Sequence, residues 1–196
     1  MKCPLPKLAS KLAPYRDVIV FAVTLLIANF LWKWTVIGEN SSTQVLWFGL
    51  DITAPFVMVS NHVAQVVYQI VYLFRDTVHL EGTHIIRFDS GSATSVVWSC
   101  SAIKQAWIWL ALMLTSRGPW LRKLWFIPLG WLGIHVFNVL RISAISMLIE
   151  FHPEWFPILH EYIFKYLFYG MMFLMWVLWV DRIASGGKIP AGEGKS

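Results

Sequence analysis

Three residues far apart in this 196-residue chain have the types that acyl transfer needs: Cys100, Arg141 and His160. A thiolate is a strong nucleophile. An imidazole exchanges a proton near neutral pH. A guanidinium can stabilise the oxyanion that forms when a carbonyl is attacked. Local context adds to each. Trp98-Ser99-Cys100-Ser101-Ala102 surrounds the thiol with small residues. A helix starting there would aim backbone N–H groups at the sulfur and lower its pKa. Asn138 stands one helical turn before Arg141, placed to position the guanidinium or a substrate carbonyl. Glu161 follows His160, with Lys165 at ion-pair spacing beyond it. Singly, each residue has a plainer role: a small inert hydrophobe, a snorkelling cation, a solvated helix start. The depth at which the chain places them decides between the readings.

Composition identifies the medium. Of the residues, 57% are hydrophobic and only 14% charged, where a soluble domain carries about 25% charged. A chain of this size buries only about 70% of its surface on folding, so this apolar excess excludes soluble, disordered and collagenous classes. Twelve Trp cluster near the ends of apolar runs, as at a bilayer interface. The net charge of +5 comes from basic residues beside those runs, which points to membrane orientation and not to nucleic acid. The expected fold is an all-α integral membrane protein, a single domain over 1–196.

The spans follow from apolar length. Val18 to Ile37 is too long for a signal-peptide core and no A-x-A site follows, so it reads as an uncleaved signal anchor. Three further spans run from about Val97 to Thr115, Leu124 to Ser143 (extending toward Ile149) and Leu159 to Val180. Residues 45–74 are ambiguous. Val63, Val66, Val67, Ile70, Val71 and Phe74 share one helical face, while Asp51 and Pro55 interrupt the first half. That pattern predicts an amphipathic helix lying in the outer interface. Charge then arbitrates. With four spans, segments 1–17, 116–123 and 181–196 hold ten of the sixteen Lys and Arg, and the other side holds only Arg75 and Arg87 beside seven acids. Both ends are therefore expected in the cytosol. The outer segment, 38–97, also holds two β-like runs around Glu81-Gly82, with a second turn at Asp89–Ser92. Residues 98–181 form the catalytic helices and 182–196 a mobile cytosolic tail. Cys3 and Cys100 fall on opposite sides, which argues against a disulfide between them.

In this topology Arg141 lies roughly 25 Å above the cytosolic entry of its span, within a core about 30 Å thick. Cys100 and His160 sit at the outer starts of their spans. Thiol, guanidinium and imidazole thus reach one outer-leaflet level. The runs Trp98-Ser99-Cys100-Ser101-Ala102-Ile103, Asn138-Val139-Leu140-Arg141-Ile142 and Leu159-His160-Glu161-Tyr162-Ile163 resemble the motifs of the exosortase/archaeosortase family. Those motifs are A-C-S-G-I, N-x-x-R and a later His. The resemblance covers roughly residues 75–181. It implies a multi-pass cysteine transpeptidase of a prokaryotic inner membrane, with its site on the outer side. The implied catalytic residues are Cys100, Arg141 and His160, supported by Asn138, Ser101 and Glu161. The implied partner is an exported protein ending in a short motif, an apolar span and a basic tail. Neither metal nor organic cofactor is expected. Ala102 departs from the family's glycine; if that glycine serves close substrate approach, Ala102 tightens the site. Two competing expectations use the same residues: a purely hydrolytic membrane protease, and a non-catalytic assembly or transport subunit in which Arg141 pairs with a partner helix.

Overall fold

The computed structural model describes residues 15–38 and 44–184. The expectations about Cys3, the basic residues ahead of Tyr15 and the tail from residue 185 lie outside them. Five α-helices are present among the described residues: α1 (Arg16–Thr35), α2 (Thr53–Phe74), α3 (Ile103–Thr115), α4 (Trp120–Phe151) and α5 (Phe164–Leu178). Two small antiparallel sheets interrupt them. One comprises β1 (Val36–Ile37), β2 (Leu46–Trp47) and β3 (Leu50–Asp51); the other comprises β4 (Val78–Glu81), β5 (Ile85–Phe88) and β6 (Ala93–Ser95), each in sequential order.

The charge-based grouping of segments is reproduced at one end of the bundle. Asp17, in the first turn of α1, pairs with Arg117 at 3.6 Å. The indole of Trp176 donates to Ser116 Oγ, and that of Trp179 donates to the Arg117 carbonyl, both at 2.9 Å. The start of α1, the α3–α4 link and the end of the last helix thus meet at one end of the bundle. Lys123 is buried there, held by the Ser116 carbonyl and by the Trp120 ring.

Helix lengths depart from expectation. The helices long and apolar enough to cross a membrane are α1, α2, α4 and the continuous helical stretch Pro153–Ala184. The span expected over 97–115 is helical only from Ile103, so α3 rises about 20 Å. The span expected over 124–143 is instead Trp120–Phe151, about 48 Å long. That length exceeds the roughly 30 Å thickness of a bilayer's hydrocarbon layer.

α2 packs against the C-terminal half of α4. It stands alongside α4 and runs parallel to it. His62 stacks on His135 with ring centroids 5.3 Å apart. Val63, Val67 and Val71 pack with Val139 and Ile142. Arg75 then pairs with Glu150 at 3.3 Å. The stretches His62–Arg75 and His135–Glu150 rise about 20 and about 22 Å, so the two helices keep register. The apolar stripe of α2 faces this tertiary core rather than lipid. Phe74, expected on that stripe, is 71% exposed.

The β4–β6 sheet closes the same core with Val78, Ile86 and Phe88. Its two turns fall where the sequence places them, with Gly82 and Gly91 both at positive φ. The β2–β3 turn carries no such signal. Phe48 and Gly49 both adopt positive φ, as a two-residue hairpin requires, but Phe-Gly is not a usual turn pair.

Helix contact in the lower core is set by one glycine. A Cβ on Gly130 would come within 2.0 Å of Trp109 Nε1, and Trp109 is fully buried between Phe126 and its neighbours. By contrast, a Cβ on Gly170 would meet nothing. Gly130→Ala is therefore expected to cost roughly 1–3 kcal/mol through overpacking, while Gly170→Ala is neutral or stabilising. Thermal unfolding of the detergent-solubilised protein checks both.

Candidate functional site

Cys100 is not at a helix start. It lies in a single 3-10 turn, Trp98–Ser101, ahead of α3 and outside the helices. The break is backbone chemistry: Ala102 adopts a left-handed conformation, φ 61° and ψ 15°, between the turn and the helix. An L-residue there costs about 1–2 kcal/mol relative to glycine-compatible geometry. The conformation at this position is therefore one that glycine would adopt without that cost. Ser101 is buried, and its Oγ accepts from the Ile103 N–H at 3.4 Å, finishing the turn.

The turn is fastened to α4 by Asn138. This side chain is 1% exposed, and its Nδ2 donates to the Cys100 carbonyl at 2.7 Å. Asn138 therefore positions the nucleophile candidate itself, where the sequence suggested a guanidinium or a substrate carbonyl.

Arg141 follows one turn later. Phe137, one turn before it, meets Phe168 edge-on at 5.1 Å. Ile145, one turn after it, packs with Leu159 and Phe164. Arg141 is bracketed by these two rungs and faces the last helix. Its Nε is buried without a hydrogen-bond partner, and its charge acts on the thiol of Cys100.

Burial pushes the Cys100 thiol above its ordinary pKa; Arg141 and hydrogen bonds from Val97 and Ser99 pull the other way and do not overcome it. The expected depression by a helix N-terminus is thus corrected. With no helix beginning at the sulfur, no row of free N–H groups points at it, and apolar packing against the α2–β-sheet core dominates.

His160 sits in a π-helical segment, Ile158–Ile163, the kind of irregularity often found at functional sites. Its ring stacks on Phe156 at 5.2 Å. The neighbouring Leu159 packs on Ile145 and Ile149, one and two turns beyond Arg141. Asn138 is bonded to the Cys100 turn, Arg141 stands one turn further along α4, and His160 is carried on the segment that packs against the next rungs of α4. The side chain of Glu161 lies outside the described residues.

Two clusters escaped sequence reasoning. His62 and His135 stack although no spacing rule relates them. Arg75 also lies over the Phe151 ring at 4.6 Å while pairing with the nearly buried Glu150. The signal for the second was present in the charge pattern, since Arg75 is one of only two basic residues in the outer segments. Among the described residues no group of three or more His, Cys, Asp or Glu could hold a metal ion.

Ala102 offers a direct test of the turn. Ala102→Gly is expected to leave stability unchanged or raise it by up to about 1 kcal/mol. Ala102→Val is expected to destabilise by about 2 kcal/mol, because a β-branched side chain at positive φ is strongly disfavoured. Denaturant titration of the two variants measures the difference. Comparison with protein-family models, curated proteins and solved structures returns no match to this chain, so the functional reading stands on these residues and their geometry.

Proposed function

We propose that the chain is a membrane-embedded cysteine transpeptidase of exosortase type, which cleaves C-terminal sorting signals of exported proteins at the outer face of a prokaryotic inner membrane. The observation that carries this reading is the joining of the Cys100 turn to α4 through Asn138, one turn from a buried guanidinium with an unused Nε–H. A nucleophile, a positioning group and an oxyanion donor are thereby held by buried contacts.

The raised thiol pKa keeps Cys100 protonated at rest, so attack needs a base. His160 takes the thiol proton as sulfur attacks the scissile carbonyl. Arg141 stabilises the oxyanion of the tetrahedral intermediate. The C–N bond then breaks, His160 returns the proton to the leaving amine, and the acyl group remains as a thioester on Cys100. An incoming amine displaces the thiol to form a new amide; water in its place releases a free carboxylate. The basic end of the bundle faces the cytosol, and the same positive-inside bias keeps the substrate's basic tail on that side without a contact between the two like charges.

The experiment is co-expression with an exported protein that ends in a short motif, an apolar span and a basic cluster. Cys100→Ala is expected to abolish processing. Arg141→Ala is expected to reduce it at least about 100-fold, the usual cost of losing an oxyanion donor. Both variants remain inserted in the membrane, and Cys3→Ala processes normally. Unchanged processing by Cys100→Ala would refute the catalytic role and favour the assembly-subunit reading. A free carboxylate at the new terminus would identify a hydrolase.

A further inference from the structure

The second sheet has two edges, and they are built differently. β4 carries His79 and Glu81, tied in ion pairs to Asp89 at 3.0 Å and to Arg87 at 2.6 Å. Charged side chains on an edge strand are a common guard against pairing with another chain. The opposite edge, β6, bears only Ala93, Thr94 and Ser95, and nothing among the described residues lies hydrogen-bonded along its outer side.

The ladder fixes which groups of β6 are unused. The Phe88 N–H donates to the Ser92 carbonyl at 2.9 Å, and the Val96 N–H donates to the His84 carbonyl at 2.8 Å. Antiparallel pairs alternate between bonded and non-bonded. The pair Ile86–Thr94 is therefore bonded, whereas Ile85–Ser95 and Arg87–Ala93 are not. It follows that the N–H and C=O groups of Ala93 and Ser95 point away from β5, at the two-residue spacing of a strand. Both residues are exposed, as is Val97, the next in the series. Val97 then accepts from the Cys100 N–H at 2.8 Å and opens the turn that carries the thiol. An unguarded strand edge thus runs into the candidate nucleophile within five residues.

We propose that this edge is the substrate-docking strand: an extended segment of the substrate adds to β6 as a fourth strand, pairing with Ala93 and Ser95, and so delivers its scissile carbonyl to Cys100. The inference rests on the nucleophile reading above and supplies its mode of recognition. Main-chain pairing gives affinity, and the small side chains of Ala93 and Ser95 leave the approach open. Specificity is left to pockets for alternate residues of the substrate segment.

Tethering separates this inference from the one beneath it. A tetra-alanine peptide bearing an activated disulfide is attached to Cys100 of the full chain in detergent, and amide hydrogen exchange is followed residue by residue. The expected result is at least tenfold slower exchange at the Ala93 and Ser95 N–H groups, with no slowing when alternate amides of the peptide are N-methylated. Ser95→Pro, which removes an outward N–H without touching the ladder to β5, is expected to abolish the protection remaining at Ala93. Tethering without protection, or equal protection by the methylated peptide, would overturn edge docking and leave the nucleophile reading intact. Failure of Cys100 to tether at all would overturn both.

Discussion

The hydrogen bond from Asn138 to the Cys100 carbonyl is the constraint on which the rest of the site depends. An amide buried to 1% exposure cannot be left unpaired without a cost of about 1–3 kcal/mol. Satisfying it fixes where the turn ahead of α3 meets α4. Because Arg141 is one turn further along the same helix, the contact that places the thiol also places the charge. The left-handed Ala102 lets the chain leave that turn and enter α3 at the required angle.

The remaining architecture packs around this junction. α2 and the β4–β6 sheet form an outer layer whose valines, with Ile86 and Phe88, pack against Val139 and Ile142, and Cys100 lies at its margin. The Arg75–Glu150 pair and the Phe151 ring tie the far end of that layer to the top of α4. Below the junction, the Gly130–Trp109 contact and the Phe126–Trp179 stack lock α3, α4 and the end of the last helix together. The thiol therefore sits where burial opposes ionisation, and Arg141 with hydrogen bonds from Val97 and Ser99 favours it. Such a balance suits a nucleophile that is unmasked only when a base comes into play.

Much of this was readable from residue types. Charge asymmetry alone grouped segments 1–17, 116–123 and 181–196, and where these are described the structure joins Asp17 to Arg117 and Arg122 to the Ile183 carbonyl. Turn chemistry located both hairpins of the second sheet. Three features were not readable. The stripe of α2 has the same pattern whether its partner is lipid or another helix, and periodicity does not name the partner. Nothing in the local sequence around Ala102 announces a positive φ, because the strain there is held by tertiary contacts. The first sheet turns on Phe48-Gly49, which is not a usual turn pair, with both residues at positive φ. Helical spacing places Asn138 and Arg141 one turn apart on α4, but the partner of Asn138, the Cys100 carbonyl 38 residues away, leaves no mark in local spacing.

The central claim is that the charge of Arg141 acts on the thiol of Cys100, and the pH dependence of thiol alkylation measures that most directly. With burial raising the thiol pKa and Arg141 opposing it, the iodoacetamide rate of the Cys3→Ala protein should still be rising above pH 9. Arg141→Gln removes the charge that favours the thiolate, so the whole profile should move to higher pH and the rate at pH 8 should fall. Superimposable profiles for the two proteins, or a faster rate in Arg141→Gln, would contradict the account.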